Sequence, residues 1–419
     1  MSDIIILYKL YTAVFISLIS ILLYKIFNKS FNNSNYVYLK TGLFISTRIV
    51  AFIIIFLIIK ISPQSDVTAF YYPQAKNILQ GNIPYLDFES SYSFLFPFLY
   101  SLPLIIWDTP LVFIIIAIVF ELISINIWEK VLNIFFNEIT AQKVIFIYLL
   151  NPISFFSVII NGQNQILIVL FLGLAILFQQ KKKELWSGLF LGLGLLFTKY
   201  LFLIFVPVLV LLSAQKRKLI ISFFIAGILP LILLYVFNIN TLLPLIIESK
   251  KYTSGNLPFL LSALFTTILN YEFLLNMLLF LIYFGVIIYL YKNYISSHSN
   301  KAVVLNFISV VFLLFMLFSK KSYTTYLIIG FIPIISFIIY SELNLKTLIA
   351  LNIFGIISVI EPSLWFRIMN NITLSSRDSN IYPGIFFILI EVILISFYFF
   401  YLRKNYLIIK NNDTLKVFH

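Results

Sequence analysis

The sequence predicts an all-α polytopic membrane protein with about 13 transmembrane segments, a number that includes the two legs of a helical hairpin at 185–213. Hydrophobic residues make up 61% of its 419 residues and charged residues only 11%, and the mean hydropathy is +1.03. A soluble domain is about half apolar and a quarter charged, so this composition indicates a bilayer environment. No polar stretch is long enough to form a separate core, which favours a single membrane domain over residues 1–419.

The membrane crossings are marked by apolar runs, because about 20 apolar residues span a bilayer as a helix. The first run carries Lys9 and has no small-residue cleavage site before Lys25, so we expect a retained helix and no signal peptide. The predicted crossings are 4–24, 41–61, 109–128, 143–160, 164–180, 219–238, 271–293, 302–319, 326–341, 346–361 and 382–402.

Residues 185–213 are predicted to form a helical hairpin between the basic clusters 181–183 and 216–218. One straight helix would be about 43 Å long, against a bilayer core of about 30 Å, and would put the clusters on opposite sides. Two shorter legs that meet at Lys199 keep both clusters in the cytoplasm, where Lys and Arg are enriched. With the N-terminus outside, the inner loops carry twice as many basic residues as the outer ones.

Residues 62–108 are then an extended first outer loop, and residues 403–419 a short cytoplasmic tail. The apolar part of that loop, 93–107, is interrupted by Pro97 and Pro103. A crossing there would turn the basic clusters outward, so we expect a helix lying in the membrane interface, where Trp and Tyr are enriched.

Several kinds of site are excluded by composition. There is no cysteine, and the two histidines, His298 and His419, have no second histidine or carboxylate at ligand spacing. Disulfides, thiolate chemistry and a zinc site are therefore not expected, whereas a metal held by oxygen ligands alone stays open. The net charge of +13 is accounted for by cytoplasmic loops, and no nucleic-acid partner is expected.

The first outer loop holds three carboxylates beside a run of aromatic residues. Asp66 directly follows a transmembrane helix, and such a carboxylate could abstract a proton from a sugar hydroxyl. The residues alone favour a plainer role for it, a solvated loop acid or a helix N-cap. Lys199 is either a functional intramembrane cation or a side chain that snorkels to the interface. Lys320 and Lys321 are likewise either functional cations or side chains that anchor a helix end at the membrane interface.

Three blocks of the sequence resemble polytopic glycosyltransferases of the GT-C class, in particular the branch of the GT87/DUF2029 and PIG-M-type mannosyltransferases. The similarity extends over most of residues 60–335. The first block is Asp66, Tyr71, Ala75, Gly81, Pro84, Tyr85, Tyr92 and Pro97; the second is Asn151, Pro152, Gly162, Gln163, the lysines 181–183, Gly188, Gly192, Lys199 and Pro207; the third is 320–326 with Pro333.

The resemblance implies a hexosyltransferase, with a mannosyl group as the first choice. It implies that an acceptor hydroxyl of a lipid or glycan attacks a polyprenyl-phosphate sugar, with inversion, at the outer face of the plasma membrane (or in the endoplasmic reticulum membrane of a eukaryote). The implied residues are Asp66 as catalytic base; Lys199, Lys320 and Lys321 at the donor phosphate; and Tyr71, Tyr85, Asp87, Glu89, Gln163 and Asn164 at the substrates.

Two departures from the family pattern leave a divalent metal in doubt. Gln163 is followed by Asn164 and Gln165, where many relatives carry an acid, and a carboxamide cannot act as a base. In addition, Ser65 and Asp66 stand where a pair of acids would be needed to bind a metal, so Asp66 is a single acid. No metal is therefore assigned, no cofactor is expected beyond the donor substrate, and the sequence identifies no partner subunit.

Two alternative functions are a flippase or transporter for lipid-linked sugars and a polysaccharide polymerase or ligase. The first usually has ionisable residues at the midplane and repeat symmetry. For a polymerase or ligase we would expect a large late outer loop rich in arginine, whereas the loop 362–381 is short and holds only Arg367 and Arg377.

Two structural expectations do not bear on the function. Gly188 and Gly192 allow close helix packing, and Arg48 pairs with Glu121 or another buried acid.

Overall fold

The computed structural model is all-helical over the residues that it describes, which are 2–27, 31, 36–265, 272–292, 303–368 and 384–410. Within these ranges there is no β-strand, only an isolated bridge between Pro84 and Phe88. The α-helices are α1 (Ser2–Phe27), α2 (Tyr36–Phe44), α3 (Tyr72–Leu79), α4 (Phe96–Leu104), α5 (Leu111–Phe135), α6 (Glu138–Leu149), α7 (Pro152–Phe155), α8 (Gln165–Gln180), α9 (Glu184–Phe197), α10 (Val206–Leu212), α11 (Lys216–Phe223), α12 (Leu229–Val236), α13 (Leu243–Ser249), α14 (Leu257–Leu264), α15 (Glu272–Leu290), α16 (Val303–Phe318), α17 (Leu327–Glu342), α18 (Leu345–Ile368) and α19 (Ile385–Lys410).

Several helices continue through short stretches of other helical geometry. These stretches are the π-helical turns Ile45–Val50, Ile53–Ile58, Val67–Tyr71, Phe156–Ile160 and Phe224–Ile228, and the 3₁₀ segments Tyr200–Phe205 and Thr324–Tyr326. Every predicted crossing overlaps a helix, which confirms the all-α class. Helices α13 and α14 were not predicted from the sequence.

Six helices in the described part of the chain are long and apolar enough to cross a membrane, and a pair bent by 57°, α6 with Pro152–Ile160, could be a seventh. The six are Ile6–Phe27, Tyr36–Ile58, Leu111–Phe135, Lys216–Val236, Leu345–Trp365 and Ile385–Leu407. The shorter apolar helices are Gln165–Gln180, Glu184–Phe197, Tyr200–Leu212, Asn276–Leu290, Val304–Phe318 and Thr324–Tyr340. The protein is therefore multi-pass, but the predicted count of about 13 is not confirmed, because a helix of 17 residues reaches only about 26 Å.

The chain divides into two compact units. The terminal unit comprises Met1–Lys29, Leu150–Ile153 and Lys250–His419, and the central unit comprises Ser30–Leu149 and Ser154–Ser249. Asp66, Lys199 and the predicted substrate contacts belong to the central unit, and Lys320 and Lys321 belong to the terminal unit.

A buried ion pair joins two helical segments of the central unit. Arg48 donates from Nε to Glu121 at 2.6 Å and from a terminal nitrogen at 2.9 Å, and neither side chain is exposed. The guanidinium also donates to the Ser154 hydroxyl at 3.0 Å and the Leu149 carbonyl at 3.3 Å. These bonds neutralise both charges within an apolar core, which confirms the predicted Arg48–Glu121 pair and gives Arg48 a structural role.

The predicted hairpin at 185–213 is present as two helical legs. Helix α9 ends at Phe197, Lys199 has extended backbone, and the second leg starts at Tyr200. The far end of the second leg returns to the start of the first, because Gln179, just before α9, donates to the Leu209 carbonyl at 2.7 Å. This arrangement places Lys199 at the tip.

Helix α9 packs closely against α11 and the π-helical turn that follows it. A Cβ on Gly188 would lie 2.3 Å from the Leu219 carbonyl oxygen, and one on Gly192 would lie 2.7 Å from the Gly227 nitrogen. Only glycine allows backbones to approach this closely, so the prediction of tight packing at Gly188 and Gly192 is confirmed.

The loop 62–108 carries two short helices, α3 and α4. Helix α4 has nine residues and is about 14 Å long, too short to cross a bilayer core of about 30 Å, which agrees with the prediction for 93–107. Helix α4 contributes Phe96 and Tyr100 to a buried aromatic cluster that also contains Tyr71, Tyr92 and Phe113. This cluster gives the loop a fixed core.

In the terminal unit, two buried glutamates hold the turn before α14. Glu361 of α18 accepts hydrogen bonds from the hydroxyls of Ser254 and of Thr324, the latter at 3.0 Å. Glu391 of α19 accepts the Gly255 N–H at 2.9 Å. The turn is thereby attached to both helices.

Some of the predicted features lie outside the described residues. They are His298, Arg377, the end of the chain from residue 411 with His419, and residues 369–383, which include most of the loop 362–381. Helix α19 continues to Lys410, so the first part of the predicted tail 403–419 is helical.

Candidate active site

Asp66 lies at the start of a helical turn but does not cap it. Ser65 has a left-handed backbone (φ +62°), and the π-helical turn Val67–Tyr71 follows Asp66 without a capping bond from its side chain. The half-buried carboxylate instead accepts the Tyr92 hydroxyl at 3.1 Å and, more weakly, the Tyr71 hydroxyl at 3.5 Å. Asp66 is therefore neither a simple solvated acid nor an N-cap.

Tyr71 supports Asp66 from within the aromatic cluster. Its ring is fully buried, its oxygen accepts the Asn164 N–H at 3.2 Å, and its hydroxyl lies 3.2 Å from the Asn164 Oδ1. Burial, and then the Asp66 carboxylate, hold the pKa of Tyr71 well above its usual range. The phenol thus stays protonated and can serve Asp66 only as a hydrogen-bond donor.

Lys199 lies at the break between the two legs of the hairpin. Its side chain is buried, and its Nζ lies 4.5 Å from the centroid of the Tyr92 ring, within the range of a cation–π contact. The same tyrosine donates its hydroxyl to Asp66. Residues far apart in sequence, Asp66 and Lys199, thus contact the same aromatic side chain.

Backbone hydrogen bonds attach the loop to the hairpin tip. The Ser93 N–H donates to the Thr198 carbonyl, and the Leu95 N–H donates to the Leu196 carbonyl, both at 3.1 Å. These bonds flank Tyr92 and Lys199 directly. They explain why the ring of Tyr92 lies against the ammonium group.

Gln163 and Asn164 lie beside Asp66 because Gly162 permits a tight turn. Gly162 has φ +52°, and a Cβ there would lie 2.8 Å from the Val67 side chain. The Gln163 Nε2 donates to the Ser65 hydroxyl at 3.4 Å. Its Oε1 and the Asn164 Nδ2 are buried without a hydrogen-bond partner among the described residues. One acceptor and one donor beside Asp66 are therefore unsatisfied, and their role toward substrate stays a prediction.

The other loop residues predicted to contact substrate differ in exposure. Tyr85 is buried and donates its hydroxyl to the Tyr92 carbonyl. Asp87 is exposed and accepts the Ile83 N–H at 2.7 Å, which stabilises the turn. Glu89 is exposed. Their roles toward substrate stay predictions.

Lys320 and Lys321 are half-buried at a turn of the terminal unit. The Lys320 carbonyl accepts the Thr253 N–H at 2.9 Å, which joins this turn to the one before α14. A role for either ammonium group at the donor phosphate stays a prediction.

No group of three or more His, Asp or Glu residues in the described part of the chain could hold a metal ion. The contacts of Asp66 are hydroxyl groups, and its carboxylate has no acidic neighbour among them. A role for Asp66 as a base stays a prediction.

Tyr92 is the site residue that the sequence analysis left without a role. In the sequence, Tyr92 is one residue of the first block that resembles GT-C glycosyltransferases. Nothing in its spacing indicates that it contacts both Asp66 and Lys199, because the second contact depends on how the hairpin packs against the loop.

A model of one protein family, glycosyltransferase family 87, matches residues 93–319, which is more than half of the chain. The matched region includes Lys199, Gln163 and Asn164, and Asp66 precedes it. Comparisons with curated proteins and with solved structures gave no match.

Proposed function

Because the chain belongs to glycosyltransferase family 87, we propose that it transfers a hexosyl group, with mannosyl as the first choice, from a polyprenyl-phosphate sugar to a lipid or glycan acceptor. The transfer takes place at the outer face of the membrane. The family supports a membrane transferase; the donor, the sugar and the side of the membrane belong to the proposal.

One observation carries this proposal: Asp66 contacts the hydroxyl group and Lys199 the ring of the same side chain, Tyr92. A partly accessible carboxylate can act as a general base toward a hydroxyl group. A buried cation can stabilise the negative charge that develops on a phosphate leaving group. Together the two groups suit an inverting transfer from a lipid phosphate.

In the proposed reaction, Asp66 takes the proton of the acceptor hydroxyl as its oxygen attacks the anomeric carbon. The new carbon–oxygen bond forms on the face opposite the lipid phosphate. The bond from the anomeric carbon to the phosphate oxygen breaks, and its electron pair leaves with the phosphate. Lys199 stabilises that charge, and the anomeric centre is inverted.

Substrate contacts are proposed for the polar groups around this pair. The Gln163 Oε1 and the Asn164 Nδ2, which have no hydrogen-bond partner among the described residues, hydrogen-bond sugar hydroxyls. Tyr71 acts through Asp66, and Tyr85, Asp87 and Glu89 shape the acceptor side of the loop. For Lys320 and Lys321, the role in donor binding rests on the family resemblance alone.

The test is transfer of labelled mannose from polyprenyl-phosphate mannose by the purified protein in detergent, with a panel of lipid and glycan acceptors. We expect Asp66→Asn to abolish transfer, because a carboxamide cannot accept the proton. Asp108→Asn is the matched control: Asp108 lies on the same loop, is exposed and pairs with Lys76. That variant should keep its activity and the wild-type melting temperature.

Two other outcomes would contradict the proposal. Movement of the sugar lipid across liposomes without any transfer would support a flippase. Addition of many sugars, or of a preassembled glycan, to one acceptor would support a polymerase or ligase. Equal activity of the Asp66→Asn variant and the wild type would remove Asp66 as the base.

A further inference from the structure

Tyr92 contacts both groups that the proposed reaction uses. Its hydroxyl lies 3.1 Å from the Asp66 Oδ2, and because an ionised carboxylate only accepts hydrogen bonds, the phenol is the donor. The Lys199 Nζ lies 4.5 Å from the centroid of the same ring. The base and the cation are therefore held by one side chain.

The Tyr92 ring itself has little freedom to move. It is 1% exposed, stacks on Phe96 with centroids 4.6 Å apart, and meets the Tyr71 ring edge-on at 5.3 Å. Its N–H donates to the Ser90 hydroxyl at 3.1 Å, and its carbonyl accepts the Tyr85 hydroxyl. Tyr92 is thus held rigidly, and the two charged groups contact a side chain whose position is fixed by packing.

The two contacts strengthen each other electrostatically. Donation of the hydroxyl to an anion adds electron density to the ring, and a richer ring attracts the ammonium more strongly. Asp66 makes none of the salt bridges among the described residues. The carboxylate and the ammonium contact different parts of one phenol, the hydroxyl group and the ring.

We propose that Tyr92 is a positioning residue that orients Asp66 toward the acceptor and holds Lys199 at the donor phosphate. This inference rests on the proposed function. It assigns the placement of both the base and the cation to contacts with one tyrosine side chain.

The experiment compares Tyr92→Phe and Tyr92→Leu with the wild type in the mannosyl-transfer assay. The Phe variant keeps the ring and loses the bond to Asp66, so kcat should fall about tenfold or more with little change in KM for the donor. The Leu variant also loses the cation–π contact, and its donor KM should rise.

Tyr100→Phe is the matched control, since Tyr100 is a fully buried member of the same aromatic cluster whose hydroxyl has no hydrogen-bond partner among the described residues. It should leave kcat and the donor KM unchanged. If Asp66→Asn is inactive while Tyr92→Phe matches the wild type in kcat, the inference is wrong and the proposed function stands. If the wild type itself transfers no sugar, both the inference on Tyr92 and the proposed function are wrong.

Discussion

At the scale of the residue, the environment of each ionisable side chain decides between a structural and a chemical role. Arg48 and Glu121 neutralise each other with short bonds and no exposure, so neither is free to act on a substrate. Among the described residues, the half-buried Asp66 accepts hydrogen bonds from hydroxyl groups, and Lys199 lies against an aromatic face. Within that part of the chain, neither residue takes part in a doubly buried ion pair such as that of Arg48 and Glu121.

Replacing Lys199 by Met should reduce mannosyl transfer by about 100-fold or more, because the departing phosphate loses its cation. The measurement is the steady-state rate with polyprenyl-phosphate mannose. Lys76→Met is the control, since Lys76 is an exposed lysine of the same unit that pairs with Asp108. An unchanged rate for the Lys199 variant would exclude Lys199 from the phosphate site.

At the scale of the element, glycines fix how closely the hairpin packs. A Cβ on Gly192 would meet backbone and side-chain atoms of the neighbouring helix at 2.7 Å, so the helices must separate to accept it. Close packing of α9 holds the break at Lys199 in register with the loop, through the backbone bonds of Ser93 and Leu95. Packing between helices therefore sets the position of a site residue.

Gly192→Ala should lower the stability of the protein by about 1–3 kcal/mol, the usual cost of overpacking. Thermal unfolding in detergent would measure the loss as a lower melting temperature. Gly42→Ala is the control, because a Cβ on Gly42 of α2 has no atom within 4 Å. Equal melting temperatures for the two variants would contradict the close approach at Gly192.

At the scale of the whole molecule, the distribution of positive charge predicts which loops face the cytoplasm. The clusters 181–183 and 216–218 flank the hairpin, and both should stay inside. The loop 62–108, which carries Asp66, should then face outside. The active site would accordingly open to the extracytoplasmic side.

The absence of cysteine makes this topology directly measurable. A single cysteine at Leu86, which is 58% exposed, should react with a membrane-impermeant maleimide on intact cells. A single cysteine at the exposed Lys181 should react only after the membrane is permeabilised. The reverse pattern of labelling would overturn the orientation and the outer-face proposal.

The sequence alone determined the helical membrane class, the hairpin at Lys199, the close packing at Gly188 and Gly192, and the need of Arg48 for a buried acid. These features follow from local rules: apolar run length, charge bias, the lack of a glycine side chain and the cost of an unpaired buried charge. Only the tertiary structure decided that Glu121 is that acid, that Tyr92 contacts both Asp66 and Lys199, and that helices α13 and α14 exist. That contact joins residues more than a hundred positions apart, and it depends on backbone bonds between a loop and a hairpin tip, which no local pattern encodes.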